Sequence, residues 1–194
     1  AKGIFMDLLH LPEEKFVTVA DGEILSLGDK TLQFIHAPWV HWPETMFTYL
    51  KEDKILFSGD FLGSHIATNE LFVKDECRVY EAAKRYYAEI MVPFAGQIRK
   101  NLEKIKDLEI DIIAPTHGQL YDKPGFIIDA YRHWVDDAPE NKVLIPYISM
   151  HGSTKVMVDY LVNALTERGV AACLFNLSAG VVDIGKLAMD LMDA

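Results

Sequence analysis

The stretch Phe34–Asp60, FIHAPWVHWPETMFTYLKEDKILFSGD, decides the fold. Its segment HAPWVHWPE, from His36 to Glu44, carries Pro38 and Pro43, which bias the residues before them away from helix, so it reads as irregular backbone. Met46–Leu50 and Ile55–Ser58 read as two short strands joined by the polar turn Lys51-Glu52-Asp53-Lys54, and Asp60 follows at once. A histidine, His41, before one strand and an aspartate after the next bring two ligand-type side chains to one sheet edge. A third, His117, sits in Ala114-Pro115-Thr116-His117-Gly118, just beyond the apolar run Ile110–Ile113. Nitrogen and oxygen donors from three strand ends suit a borderline cation such as zinc or iron. Asp60 could bridge two ions through its two oxygens, so three ligands make an open site for one ion or an incomplete site for two.

Working outward towards the N-terminus, Ile4, Phe5, Leu8 and Leu9 have helical spacing within residues 1–16. Phe16–Ala20, Gly22–Leu27 and Thr31–Ile35 read as strands, with Gly28-Asp29 as a hairpin turn between the last two. Beyond Asp60 the segment FLGSHIATNELFVKDE is too long for a simple turn, and loops of that size are commonly functional. Glu76–Ile90 and Ala95–Leu108 carry apolar stripes at three-to-four spacing and read as helices, as does Gly125–Val135. A polar stretch with one proline, Asp136–Asn141, reads as a linker. After it come a buried strand over Lys142–Ile148, a helix over Lys155–Arg168 closed by Gly169, a strand over Ala171–Leu177 and a helix over Asp183–Met192. That order is the start of a doubly wound parallel sheet, and its first loop, Ser149–Thr154, is dressed in Ser, Gly and Thr. Hydroxyls of Ser149, Ser153 and Thr154, with N–H groups freed by Gly152, can cradle a phosphate at a helix N-terminus, although Ser and Thr there are also ordinary caps.

The chain's 194 residues suffice for one large domain or two small ones. Its 29 acidic and 19 basic residues leave a net charge of −10, which argues against binding nucleic acid or an anionic membrane. No apolar run approaches the ~20 residues needed to span a bilayer. Cys77 and Cys173 lie far apart and form no framework, which points to a reducing cytoplasm. Without an initiator methionine the sequence reads as a mature form or a fragment.

His41-Trp42-Pro43-Glu44-Thr45-Met46, Ser58-Gly59-Asp60-Phe61-Leu62-Gly63 and Ala114-Pro115-Thr116-His117-Gly118 resemble, in order, the later motifs of the flavodiiron proteins. Ser149–Thr154 resembles the phosphate loop of a flavodoxin. The resemblance implies an α/β chain in two parts. Residues 1–138 would be the C-terminal part of a metallo-β-lactamase-like αββα sandwich. Residues 139–194 would begin a flavodoxin-like doubly wound parallel sheet. It further implies two iron ions, with His41 and His117 each on one and Asp60 bridging, and FMN held by Ser149, Met150, His151, Gly152, Ser153 and Thr154. The family's upstream H-x-E-x-D-H motif does not occur here, and Gly59 stands where Cys is common. His65, five residues after Asp60, matches a histidine close to the irons in oxygen-reducing members, and implies catalytic help to bound dioxygen. Tyr86 and Tyr87 could line the same pocket. The implied reaction is reduction of dioxygen to water or of nitric oxide to nitrous oxide. Electrons would come from rubredoxin or a reduced deazaflavin, in a head-to-tail homodimer. The rivals are a zinc-dependent hydrolase on the metallo-β-lactamase fold and a non-catalytic or split remnant of a flavodiiron protein.

Overall fold

The computed structural model describes residues 1–136, 140–178, 180 and 182–194. Five strands form one sheet in sequential order: β1 (Ile24–Ser26), β2 (Thr31–His36), β3 (Met46–Leu50), β4 (Ile55–Gly59) and β5 (Ile112–Pro115). β1 to β4 are antiparallel neighbours, whereas β5 runs parallel to β4. The hairpin turns fix the antiparallel part. The parallel pair requires a long crossover, supplied by helices α2 (Glu76–Tyr86) and α3 (Ala95–Ile105). Helix α4 (Pro124–Asp136) follows β5, and a short helix α1 (Lys2–Leu9) precedes the sheet.

One face of the sheet is dry. Ile35, Phe47, Tyr49, Leu56 and Ile113 point from it into a core completed by Val79, Ala83 and Tyr86 of α2, Ile98 and Leu102 of α3, and Ile127 and Tyr131 of α4. Alternation along β3 and β4 produces this, because successive side chains of a strand face opposite ways. Aromatic rings knit sheet to helices: Phe47 stacks on Phe61 at 5.3 Å, and Phe61 meets Tyr131 edge-on at 5.3 Å. The opposite face keeps Met46 and Phe57 exposed. Between it and α1 runs an apolar groove of about 720 Å³ lined by Phe5, Leu9, Val17, Val19 and Met46. Of the four layers named by the sandwich expectation, the described residues up to Asp136 therefore contain one sheet and the helices on its dry face.

Several expectations change in detail. The helix expected over Glu76–Ile90 is α2 continued by a wider turn with π-type hydrogen bonding over Tyr87–Met91, and a short 3₁₀ turn, Val92–Phe94, leads into α3. The expected strand Phe16–Ala20 does not form. Its backbone is engaged by side chains instead, the Ala20 N–H donating to Glu23 at 2.6 Å and the Val19 carbonyl lying 3.1 Å from His36 Nε2. Val17 is 89% exposed, so no burial rewards strand pairing there.

The C-terminal part is a β-α-β-α succession of β6 (Lys142–Tyr147), α5 (Ser153–Thr166), β7 (Ala171–Asn176) and α6 (Ile184–Met192), with β6 and β7 parallel and in register. The strand expected to be buried, β6, is half exposed. A two-stranded sheet has no neighbours to cover it, and Val158 is the buried residue of α5. The expected linker Asp136–Asn141 falls in part on residues 137–139, outside the described residues. Across it, α6 docks on α2: Arg85 pairs with Asp183 and Lys84 with Asp193, both at 2.8 Å.

Candidate metal centre

Strand direction assembles the site. β4 and β5 run parallel, so their C-terminal ends share one sheet edge; β3 runs antiparallel, so its N-terminal end lies there too. The loop into β3 carries His41, and the turns out of β4 and β5 carry Asp60 and His117. The His41 loop is closed on itself and onto α3. Ala37 N–H donates to the Thr45 carbonyl at 2.9 Å and Trp39 N–H to the Trp42 carbonyl at 2.7 Å. Buried Asn101 of α3 reaches the Pro38 carbonyl at 3.5 Å. The other two turns are tied to each other. Thr116 N–H donates to the Gly59 carbonyl at 2.8 Å, and Ser64 N–H to the His117 carbonyl at 3.0 Å. Gly118 permits this approach: its φ is 89°, and a Cβ there would fall 2.3 Å from Ser64 Oγ and 2.9 Å from the Ser64 carbonyl.

The three sequence-predicted ligands converge. His41 Nε2 lies 3.3 Å from Asp60 Oδ2, and His117 Nε2 lies 3.4 Å from Asp60 Oδ1. The carboxylate thus stands between the two imidazoles and offers a different oxygen to each. Each half presents one ring nitrogen and one carboxylate oxygen. Among the described residues, no group of three or more His, Cys, Asp or Glu side chains closes around a single ion. Neutral imidazole and carboxylate are donor types that iron and zinc accept, but two donors in each half fall short of the three or four protein ligands such a cation takes.

His65, on the turn after Asp60, packs its ring 5.5 Å from that of His117 and 4.7 Å from that of Tyr86. His65 is exposed and borders a cleft of about 520 Å³ between α2 and α6, which also meets Arg78, Arg85 and Lys186. Tyr86, buried on α2, donates its hydroxyl to the Asp60 carbonyl at 3.0 Å. Burial, and secondarily the Asp60 charge, hold that phenol well above its usual pKa. Tyr87 turns the other way, into the core against Tyr131 and Trp134, and burial pushes its hydroxyl up to about 12. Sequence reasoning gave Thr116 no role, yet its hydroxyl donates to Asp60 Oδ1 at 2.7 Å. A threonine next to a strand-end histidine was the only signal available.

The predicted flavin residues lie apart from these groups, on the loop between β6 and α5. Ser149 N–H donates to Ser178 Oγ at 2.7 Å, and Ser149 Oγ accepts from Lys155 N–H at 3.2 Å. Gly152, with φ 84°, is the N-cap of α5 and has no side chain to cap it, so Ser149 Oγ takes the Lys155 N–H of the first turn instead. Ser153, Thr154, Met150 and His151 are exposed. The other first-turn N–H groups, beside hydroxyls at the start of a 14-residue helix, fit a phosphate group.

The family described as ODP family beta lactamase matches residues 2–118. The coenzyme F420H(2) oxidase of Methanothermobacter marburgensis is 34% identical over all of this chain and 49% of its own length. The nitric oxide reductase of Moorella thermoacetica is 39% identical over 92% of this chain and 46% of its own. Among solved structures, the rubredoxin oxygen:oxidoreductase of Desulfovibrio gigas superposes with a TM-score of 0.89 at 29% identity, covering 99% of this chain and 49% of that one. The flavodiiron protein of Giardia intestinalis gives 0.79 at 35% identity over 89% and 43%. The chain spans about half the length of the curated relatives it matches. With the match over residues 2–118 and the sheet edge that gathers His41, Asp60 and His117, the chain belongs to the ODP family beta lactamases and carries the metallo-β-lactamase-like part of a flavodiiron protein.

Proposed function

We propose that this chain supplies the bridging half of a di-iron centre in an oxidoreductase that reduces dioxygen to water or nitric oxide to nitrous oxide. The observation that carries the reading is the Asp60 carboxylate set between His41 and His117, one oxygen toward each ring. Bound iron would supply the redox couple and the Lewis acidity, and FMN would store electrons near it in ones or twos. The chain's residues do the rest. His41 and His117 would each hold an ion at one sheet edge, with Asp60 offering an oxygen to each. His65 stands beside His117 on the side of the open cleft, where its ring can pass a proton to a substrate oxygen. Tyr86 fixes the Asp60 backbone and the His65 ring.

The loop Ser149–Thr154 would hold the FMN phosphate by its hydroxyls and the α5 N-terminus, as the first loop of a flavodoxin-like domain over residues 139–194. Ser149, Ser153 and Thr154 face the phosphate in this reading, with Met150 and His151 toward the ribityl chain or flavin edge. The electron donor is rubredoxin or a reduced deazaflavin, and the working form is a head-to-tail homodimer in the cytoplasm. Three relatives support this by the names they carry: an F420H(2) oxidase, a nitric oxide reductase and a rubredoxin oxygen:oxidoreductase. Among the described residues no helix is long and apolar enough to cross a membrane.

The test is anaerobic reconstitution of the chain with iron(II) and FMN, followed by metal analysis and donor-coupled uptake of dioxygen and of nitric oxide. The expected result is bound iron and FMN with uptake of one of the two gases, and loss of iron from His41→Ala and Asp60→Asn. A protein that takes up zinc but no iron, stays colourless with FMN and consumes neither gas would overturn the proposal in favour of a hydrolase.

A further inference from the structure

We propose that the cleft between α2 and α6 binds a nucleoside phosphate, with Arg78 and Lys186 on the phosphate and Glu81 on a sugar hydroxyl. This site uses none of His41, Asp60 and His117 and stands apart from the di-iron reading. At about 520 Å³ the cleft has the size of a small-molecule site, and such sites favour junctions between the parts of a protein. It lies at the junction here, with α2 from the N-terminal part and α6 from the C-terminal part on its walls.

Charge selects the ligand. The chain has five arginines. Arg85, Arg99 and Arg132 each pair with a carboxylate, at 2.8, 2.6 and 3.1 Å, and Arg168 donates to the Ala164 carbonyl at 2.7 Å. Arg78 lines the cleft, and its guanidinium has no hydrogen-bond or ion-pair partner among the described residues. In a chain with 29 acidic and 19 basic residues, that is the exception. Lys186 lines the cleft from α6, where it spends one of its three N–H donors on Asp190 at 3.2 Å and keeps two. A guanidinium fork and an ammonium together match the oxygens of a phosphate.

Glu81 narrows the choice. It lines the same cleft three residues after Arg78, and it too has no hydrogen-bond or ion-pair partner among the described residues. The two do not close on each other, Arg before Glu being the weaker order along a helix. A free carboxylate repels a bare phosphate but accepts a hydrogen bond from a hydroxyl, so the ligand carries both groups. Asp183, the other acid of the lining, is taken up by Arg85. Ile66, Ala82 and Met189 complete the wall with apolar surface, and a methionine sulfur packs well on a flat aromatic ring. Phosphate, hydroxylated sugar and flat ring together describe a nucleotide. Such a ligand touches α2 and α6 at once, so its binding fastens the two parts of the chain together.

The experiment is calorimetric titration of the full 194-residue chain with adenosine 5′-monophosphate, adenosine and inorganic phosphate as separate probes. Wild type is expected to bind the monophosphate at one site, and adenosine or phosphate at least about tenfold more weakly, because each forfeits part of the contacts. Arg78→Gln weakens the monophosphate by about tenfold, the worth of a charge-assisted hydrogen bond. Glu81→Ala weakens it by about fivefold yet tightens inorganic phosphate, a reversal of sign that damage to the fold would not produce. Arg132→Gln, which removes an arginine already paired with Asp129, changes nothing. Arg78 and Glu81 are exposed, so ligand-free thermal melts of their variants should overlay wild type. Bound monophosphate should also slow hydrogen exchange across α6. No saturable binding of the monophosphate by wild type, or equal affinity in Arg78→Gln, overturns the proposal. So does loss of binding in Ser149→Ala with none in Arg78→Gln, which would place the nucleotide on the loop before α5. Each of these outcomes leaves the iron reading standing.

Discussion

Tyr86 contributes to the site through its hydroxyl, which the pattern of its helix conceals. On a helical stripe a tyrosine reads as core, and by burial Tyr86 is core, yet its oxygen donates to the Asp60 carbonyl. Replacing it with phenylalanine removes that donor and little volume. The expected cost is about 1 kcal/mol, the usual worth of one hydrogen bond, read as a lower urea midpoint at unchanged slope. Gly118→Ala should cost more, because the added carbon meets the Ser64 backbone and the residue must keep a left-handed φ. A urea midpoint equal to wild type in Gly118→Ala would contradict the close approach of the two turns. That His41, Asp60 and His117 meet at one sheet edge was legible in the sequence, because histidine and aspartate beside strand ends are chemically conspicuous. Thr116 was not, since a hydroxyl finds its partner only once two strands are laid side by side.

At the scale of elements, β4 connects stability to the site, because Asp60 continues it directly. Leu56 is fully buried at its centre, so Leu56→Ala should destabilise by about 2–5 kcal/mol through lost burial and a cavity, measured by urea unfolding. The elements packed around this strand carry a second liability. Tyr86, Tyr87, Tyr121 and Tyr131 are buried, and burial raises all four phenols, Tyr87 and Tyr121 to about 12. Above about pH 10 the unfolded chain releases these protons while the folded one keeps them. The folded state then binds more protons, so stability is fully present below pH 10 and falls as pH rises toward 12. Melting temperatures recorded from pH 8 to 12 should be flat at first and then drop. Tyr→Phe at position 131 should soften the drop. Most elements could be read from periodicity and turn residues. Phe16–Ala20 misled because a strand needs a neighbour to pair with, and composition does not reveal whether one is there.

For the molecule as a whole, the informative contact is between its two parts. α6 lies on α2 through the Arg85–Asp183 and Lys84–Asp193 pairs, and Gly185 is buried between them. These pairs are half exposed, so each contributes little alone and weakens with salt. Hydrogen exchange should therefore show α6 opening faster in 1 M salt than in dilute buffer, while β3 and β4 stay protected. Nothing in the sequence announced this contact, because it joins residues about a hundred positions apart whose charges look like ordinary solvated faces. The order of the parts was legible; how they touch depends on side chains meeting across a polar stretch.

Gly185 also constrains how such proteins can be recombined. A Cβ at that position would sit 2.1 Å from Glu89 Oε1 and 2.3 Å from Arg85 Nε, so a larger residue there must push the ends of these two flexible side chains aside. A chimera that grafts a foreign C-terminal part after residue 140 inherits Arg85 and Glu89, and keeps their present arrangement only if it brings its own glycine to meet them. Without it the Arg85 pairs must re-form around the new side chain, one residue from the tyrosine that holds Asp60.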